Sequence, residues 1–517
     1  MGNKYSRKSD NNNKTKAQQT DTSGLDFDKP LKLESHKKPV TRRDFLGQGL
    51  VAGAAAVIAP ALFGLSGSKA LAAAAVTEAD CGILTGAGGK IPFICIDLSG
   101  GANIAGSNVL VGGPGGQLDF LDVAGYQKLG LPESMIPSID GQIATLDAGG
   151  LGLKFHADSP LLQGIRDIAT QETLNNVNGA VMCARSANDT NTNPHNPMYG
   201  IYKAGADGEI LSLVGSSSTE SGGRSVAPPS MVDLSVRPTK IARGDDARGL
   251  IDTGKLAQLL PDGDDAVNVM QAIRRISEKK LNRVQTSEAQ RIILECRYLE
   301  TEMAARGDPN RTDINFDMDL QSVFTAVGRD IRDFEKTASV SKLVINGLAG
   351  AGTIQFGGYD YHDSTRTTGD ERDRRAGREI GAVLEYAKLK NKKVMIYIFS
   401  DGSVASDGTP DAGANGKGVW KGDNASTSAS LMLVFDPAGM PAIANNNSQI
   451  GYFRPSGSIE TAATVISNNV EQLAESIVLN YMALHNNVGE FSRVLPQHGL
   501  GATVADLEKL IAFEPIA

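Results

Sequence analysis

TIQFGGYDYHDS at residues 353–364, VMIYIFSDGS at 394–403 and SLMLVFD at 430–436 carry the signature of strands that run into polar turns. Val394–Phe399 is a short apolar run with little alternation, as expected for a strand buried on both faces. It stops at Ser400-Asp401-Gly402-Ser403. Thr353–Phe356 is a second β-like run, broken by Gly357-Gly358 just before Asp360 and His362. In open α/β sheets ligands collect outside the carboxyl ends of strands, so polar residues placed there are site candidates. Residues two apart in an extended segment share one side, which puts the carboxylate and the imidazole of Asp-x-His together. Such a pair can grip one divalent cation. The same aspartates also suit the cap of a following helix or turn.

Outward from these runs, strand and helix patterns alternate. Glu371–Leu389 reads as a helix linking the two halves of the central stretch, Glu460–His485 as another, and Val504–Phe513 as a short closing one. Upstream, Asp264–Arg283, Thr286–Arg306 and Met318–Thr337 read as helices with apolar residues every three or four positions, a helical insertion over about 262–338. Gly179–Cys183 and Ile91–Ile96 read as strands, and Gly164–Thr170 as a helix. This order predicts an α/β fold, a mainly parallel sheet sandwiched by helices. Ile91–Ile96 closes in Asp97-Leu98-Ser99-Gly100-Gly101-Ala102-Asn103. There Asp97 is a candidate metal ligand and Asn103 a polar contact to substrate or metal. His156 precedes a helix, where a structural use is expected. His195, between Pro194 and Pro197 in Asn193–Pro197, is held rigidly enough for a ligand or an acid/base, and Ser186, Thr190 and Thr192 supply hydroxyls in the same loop. No G-x-S-x-G elbow and no nucleotide-binding glycine loop is present.

Composition narrows the function. Of 517 residues 41% are hydrophobic and 58 are glycine, which describes a globular, loop-rich chain. Residues 1–72 carry 12 Lys/Arg against 6 Asp/Glu, leaving 39 against 53, or −14, for the rest. So acidic a body lacks the basic patches that phosphate contacts need, and nucleic acid is not an expected partner. Residues 1–41 are too polar to bury a core. Thr41-Arg42-Arg43-Asp44-Phe45-Leu46, the apolar run Leu50–Leu65 and Ala70-Leu71-Ala72 follow in the order of a signal peptide, with cleavage expected at its end. The paired arginines and the mild apolar run resemble a twin-arginine translocation signal over 42–72. The expected partner is then the twin-arginine machinery during export, and the expected address is the periplasm. Leu50–Leu65 is too short to span a bilayer as a helix, so no stable span is expected in the mature chain, 73–517. Cys81, Cys95, Cys183 and Cys296 show no metal-ligand spacing, and Cys95 reads as core.

The segments Thr41–Leu46, Ile91–Asn103, Leu153–His156, Asn193–Asn196, Gly357–His362, Phe399–Ser403 and Gly422–Ala425 together resemble the bacterial DUF1501 family, a branch of the alkaline phosphatase-like superfamily. The match covers nearly the whole mature chain, and Gly357-Gly358-Tyr359-Asp360-Tyr361-His362 is its most specific part. The resemblance implies an alkaline phosphatase-like fold with Asp and His residues clustered around one or two cations beside a Ser or Thr nucleophile. It adds Asp423 to the metal candidates Asp97, Asp360, His362 and Asp401, with His195 as a further candidate ligand or catalytic residue. This chain departs from the pattern. Pro194 stands where the family has Ser, Asp401 replaces a Glu, the Arg of that motif is missing with no cation near Val404, and Asn424 replaces a His. With mostly oxygen ligands left, Zn²⁺, Mg²⁺, Mn²⁺ and Ca²⁺ are all compatible. Two functions follow as expectations. One is a metal-dependent hydrolase of small phosphate or sulfate esters, with Thr192 or Ser99 as nucleophile. The other is a degenerate member that keeps the fold as an exported binding or assembly protein.

Overall fold

The structure is a computed structural model, and it describes residues 90–137, 146–147, 151–186, 192–250, 271–272, 275, 311–324 and 331–516. The leader segments 1–41 and 42–72, Cys81, Cys296, Thr190 and nearly all of the expected helices 264–283 and 286–306 lie outside them.

Twelve strands occur among the described residues: β1 Phe93–Ser99, β2 Leu146–Asp147, β3 Phe155–His156, β4 Val177–Met182, β5 Leu211–Gly215, β6 Thr239–Lys240, β7 Ala349–Gly357, β8 Val394–Ser400, β9 Val404–Pro410, β10 Gly418–Asp423, β11 Ser430–Phe435 and β12 Gln449–Ile450. Eight of them form one sheet in the order β12-β4-β11-β8-β1-β7-β5-β6. β1 runs parallel to β7 and β8, β5 to β6 and β7, and β12 to β4, whereas β11 is antiparallel to both β8 and β4. The fold is therefore α/β, with a mostly parallel central sheet flanked by helices, as the sequence implies and consistent with an alkaline phosphatase-like architecture.

Alternation along the central strands builds a core on each face. Ile94, Ile96 and Leu98 of β1 join Ile396 and Ile398 of β8 and Leu431 and Leu433 of β11 in one cluster. Phe93 and Cys95, Met395, Tyr397 and Phe399, and Met432 and Val434 fill the other. The period of two explains why these runs are apolar throughout, since neither side meets water.

Helix α1, Pro160–Ile168, and helix α2, Arg366–Leu389, cover the first face. α1 starts where Ser159 accepts a hydrogen bond from the Leu162 amide and proline occupies the first turn. The two helices approach backbone to backbone, because a Cβ on Gly377 would lie 2.1 Å from the Leu161 carbonyl oxygen. Helix α3, Val470–Leu484, lies on the second face. It is shorter than the expected 460–485, since Glu460 pairs with Arg454 in the preceding loop and Asn469 caps the helix start. The expected helix Met318–Thr337 is seen as Met318–Phe324 and Ile331–Ile345, with 325–330 outside the described residues. The closing helix covers only Val504–Glu508, because the chain beyond it bonds to Asn480 and Ala444. Among the described residues, no helix is long and apolar enough to cross a membrane.

Candidate metal centre

The tips of β1, β7 and β8 meet at one edge of the sheet, and the β9–β10 hairpin lies beside them. Two glycines make the meeting geometrically feasible. Gly100 and Gly101 follow β1 with φ of +129° and +116°, conformations that side chains disfavour. Their amides turn back onto the end of β8, where the Gly100 N–H donates to Asp401 Oδ1 at 2.6 Å and the Gly101 N–H donates to Ser400 Oγ at 3.2 Å. On the other side the Tyr359 amide donates to the Ser99 carbonyl at 3.1 Å, which ties the loop after β7 to the end of β1. Tyr361 is buried in that loop and its hydroxyl accepts from the Asn103 amide at 2.8 Å. Asp360 and His362 flank it.

Asp423 ends β10, opposite Val404 in the hairpin. One oxygen of Asp360, one ring nitrogen of His362 and one oxygen of Asp423 lie within 4.8 Å of one another, a spacing that can hold a single metal ion. Asp360 and Asp423 are exposed and His362 is half-buried, so water would complete the coordination. Two carboxylates flank the ring, one of them Asp360 again: His362 Nε2 is 2.9 Å from Asp360 Oδ1, and Nδ1 is 2.9 Å from Asp363 Oδ2. Slight burial works against a charge on this ring, but Asp423, Asp363 and Asp360 outweigh it and raise its pKa. Two carboxylates and one imidazole form a mixed oxygen–nitrogen donor set that fits a divalent cation.

Asp97 and Asp401 belong to a different, interior cluster. Asp97 lies fully buried on β1, and its Oδ2 accepts the backbone N–H groups of Arg224 (2.7 Å) and Ser225 (2.9 Å). Its Oδ1 accepts the Ser99 hydroxyl at 3.3 Å. The Arg224 Nε–H donates to Asp401 Oδ2 at 2.8 Å, so Arg224 serves Asp97 through its backbone and Asp401 through its side chain. Gly223 lets this segment come close, since a Cβ there would lie 2.6 Å from Asp97 Oδ2. Burial pushes the Asp97 carboxyl up to about 7 against the pull of the Ser225 and Arg224 amides, and the Asp401 charge adds to the rise. Asp401 shifts upward for the same first reason, held back by the Gly100 amide and Arg224. Oxygens of both residues are thus taken up by protein donors.

The remaining candidates separate further. Ser99 is buried with its hydroxyl on Asp97, whereas Thr192 is exposed. His195 is buried and stacked on Phe399 (centroids 5.8 Å apart), with Nε2 3.4 Å from Ser186 Oγ and Nδ1 buried without a partner. Burial lowers its pKa to about 3, so it stays neutral at ordinary pH. Asn103 accepts the Ser107 hydroxyl at 2.6 Å and its buried Nδ2 has no partner. His156 is structural: its Nδ1 accepts the Asp158 amide and its Nε2 meets the Met135 carbonyl. Cys95 and Cys183 are free and buried.

Sequence reasoning missed Arg224. A cation was not expected near Asp401, and none follows it in sequence. Arg224 arrives from the loop after β5, 177 residues away, and Ser221-Gly222-Gly223-Arg224-Ser225, an arginine among glycines, is the signal that marks it. A scan against protein-family models and a search of curated proteins both return no match to this chain.

The buried Asp97 makes a pH prediction. Its folded pKa lies above the unfolded value of 3.8, so its contribution is fully present below pH 3.8 and is lost as pH rises through about 7. Asp97→Asn removes that titration while keeping an oxygen for the two amides. Relative to the variant, the wild type is expected to lose roughly 2–4 kcal/mol between pH 4 and pH 8 in urea unfolding. Parallel pH profiles for the two proteins would refute it.

Proposed function

We propose that this chain is an exported DUF1501-like protein of the alkaline phosphatase-like superfamily, a hydrolase of small phosphate or sulfate esters that uses one divalent cation. The observation that carries the reading is the convergence of Asp360, His362 and Asp423 at the carboxyl-end edge of a mostly parallel sheet. These three residues would hold the ion. Mn²⁺ and Zn²⁺ accept the imidazole nitrogen, while Mg²⁺ and Ca²⁺ take mainly the oxygens. When bound, the cation supplies Lewis-acid polarisation of an ester oxygen. Of the two candidate hydroxyls, Thr192 reaches solvent and Ser99 is buried, so Thr192 is the more accessible nucleophile. Asn193, next to it, donates to the Asp401 backbone carbonyl and so anchors that loop on the tip of β8. The arginine pair and apolar run of residues 42–72 support twin-arginine export to the periplasm.

A second reading, an exported binding or assembly protein, is favoured by Arg224, whose backbone amide on Asp97 and guanidinium on Asp401 occupy the buried carboxylates that a second cation would need. Turnover of an aryl phosphate and an aryl sulfate, with and without EDTA, separates the two. The hydrolase reading expects turnover that EDTA abolishes and that falls at least ~100-fold in His362→Ala, more than loss of an outer-shell partner would cost. Cation binding without turnover of either ester would favour the binding protein.

A further inference from the structure

His362 sits between two carboxylates, and only one of them belongs to the three-residue set. Asp360 Oδ1 meets Nε2 at 2.9 Å, and Asp363 Oδ2 meets Nδ1 at 2.9 Å from the opposite side of the ring. An imidazole ligates a cation through one nitrogen, and the partner of the other nitrogen decides which one stays available. Since Asp360 and His362 Nε2 already face each other within the three-residue set, Nε2 is the ligating atom. Nδ1 is then the nitrogen that keeps its proton.

The backbone is shaped to keep Asp363 there. Asp363 and Ser364 both adopt left-handed conformations, with φ of +59° and +68°, which is uncommon for residues other than glycine. The bend is pinned on both sides: the Ser364 amide donates to the Trp420 carbonyl at 2.8 Å, and the Thr365 hydroxyl donates to the His362 carbonyl at 2.7 Å. Trp420 is buried on β10, the strand that ends in Asp423. The bend that carries Asp363 is therefore fixed to the strand that supplies the third ligand.

We propose that Asp363 is a positioning residue that accepts the Nδ1–H of His362 and so presents Nε2 to a divalent cation held with Asp360 and Asp423. This rests on the cation site proposed above. On binding, the Nε2 proton leaves to solvent and the Nδ1 proton stays on the hydrogen bond to Asp363.

Calorimetric titration of the full chain with Zn²⁺ or Mn²⁺ alone tests it, using wild type, Asp363→Ala and Asp363→Asn. Asp363→Ala is expected to bind 10- to 100-fold more weakly, the usual cost of losing such a partner. Asp363→Asn loses the charge but keeps an oxygen for Nδ1–H, so it should recover part of what alanine loses. Nitrogen-15 shifts of His362 in the Zn²⁺-bound wild type should show Nδ1 protonated. Equal weakening in the two variants would mean that Asp363 acts only through its charge, and would overturn the proposal. So would wild-type affinity in Asp363→Ala, or a ring protonated at Nε2. Failure of the wild type itself to bind either ion would instead overturn the cation site, and this inference with it.

Discussion

Gly100→Ala is expected to destabilise the fold by about 3–5 kcal/mol and to disrupt the candidate site as well. Two independent costs meet at this position. At φ +129° a side chain strains the backbone, and an added Cβ would lie 2.4 Å from the Asp360 amide nitrogen and 2.8 Å from the Tyr359 carbonyl carbon. The obstruction is backbone, so no rotamer change relieves it. The chain after β7 must move away from β1, and Asp360 moves with it. The Gly100 N–H that Asp401 accepts is displaced in the same step. Urea unfolding checks the first consequence, and Mn²⁺ affinity of the folded fraction checks the second. Gly422→Ala, on the β9–β10 hairpin, is the control, because nothing lies within 4 Å of a Cβ there. Wild-type stability in Gly100→Ala would show that the tips of β1 and β7 are not packed as described.

Arg224→Met is expected to destabilise by roughly 2–3 kcal/mol at pH 7. Removing one partner of a buried ion pair typically costs about 3–5 kcal/mol, but the Arg224 side chain is 35% exposed, which reduces the figure. Asp401 is fully buried and would keep the Gly100 amide while facing Asp97 without a countercharge. The cost has a pH signature. Both carboxyls already have raised pKa values, and losing the guanidinium raises that of Asp401 further, so protonation relieves the variant as pH falls. The difference from wild type should therefore shrink toward pH 4 and be largest above pH 7. A difference independent of pH would mean that Arg224 contributes packing alone.

The sheet was legible because Val394–Phe399 and Ile91–Ile96 are apolar on both alternations, which only a strand covered on two sides explains. The reversed direction of β11 was not legible, since a short apolar run carries no sign of its polarity. Asp360 and His362 stood out through their spacing after a Gly-Gly break, a local feature. Asp423 came only through family resemblance, because its place depends on the register of the β9–β10 hairpin. Asp97 and Asp401 were read as strand-end acids, yet the sequence grouped them with Asp360 and His362 as metal candidates. Their separation follows from partners distant in the chain: Arg224 and Ser225 reach Asp97 from 127 and 128 residues away. A carboxylate saturated by such donors looks, in sequence, the same as one awaiting a metal. Helix ends were the least legible elements, because caps such as Asn469 compete with equally suitable residues nearby.

The central claim is that three acidic or imidazole side chains, from the loop after β7 and the end of β10, form a one-ion site, while the buried pair is closed by an arginine. Bound Mn²⁺ or Zn²⁺ counted per chain, in wild type, His362→Ala and Asp97→Asn, tests it most directly. The expected counts are one, none and one. Two ions in the wild type, or loss of the ion in Asp97→Asn with retention in His362→Ala, would contradict the account.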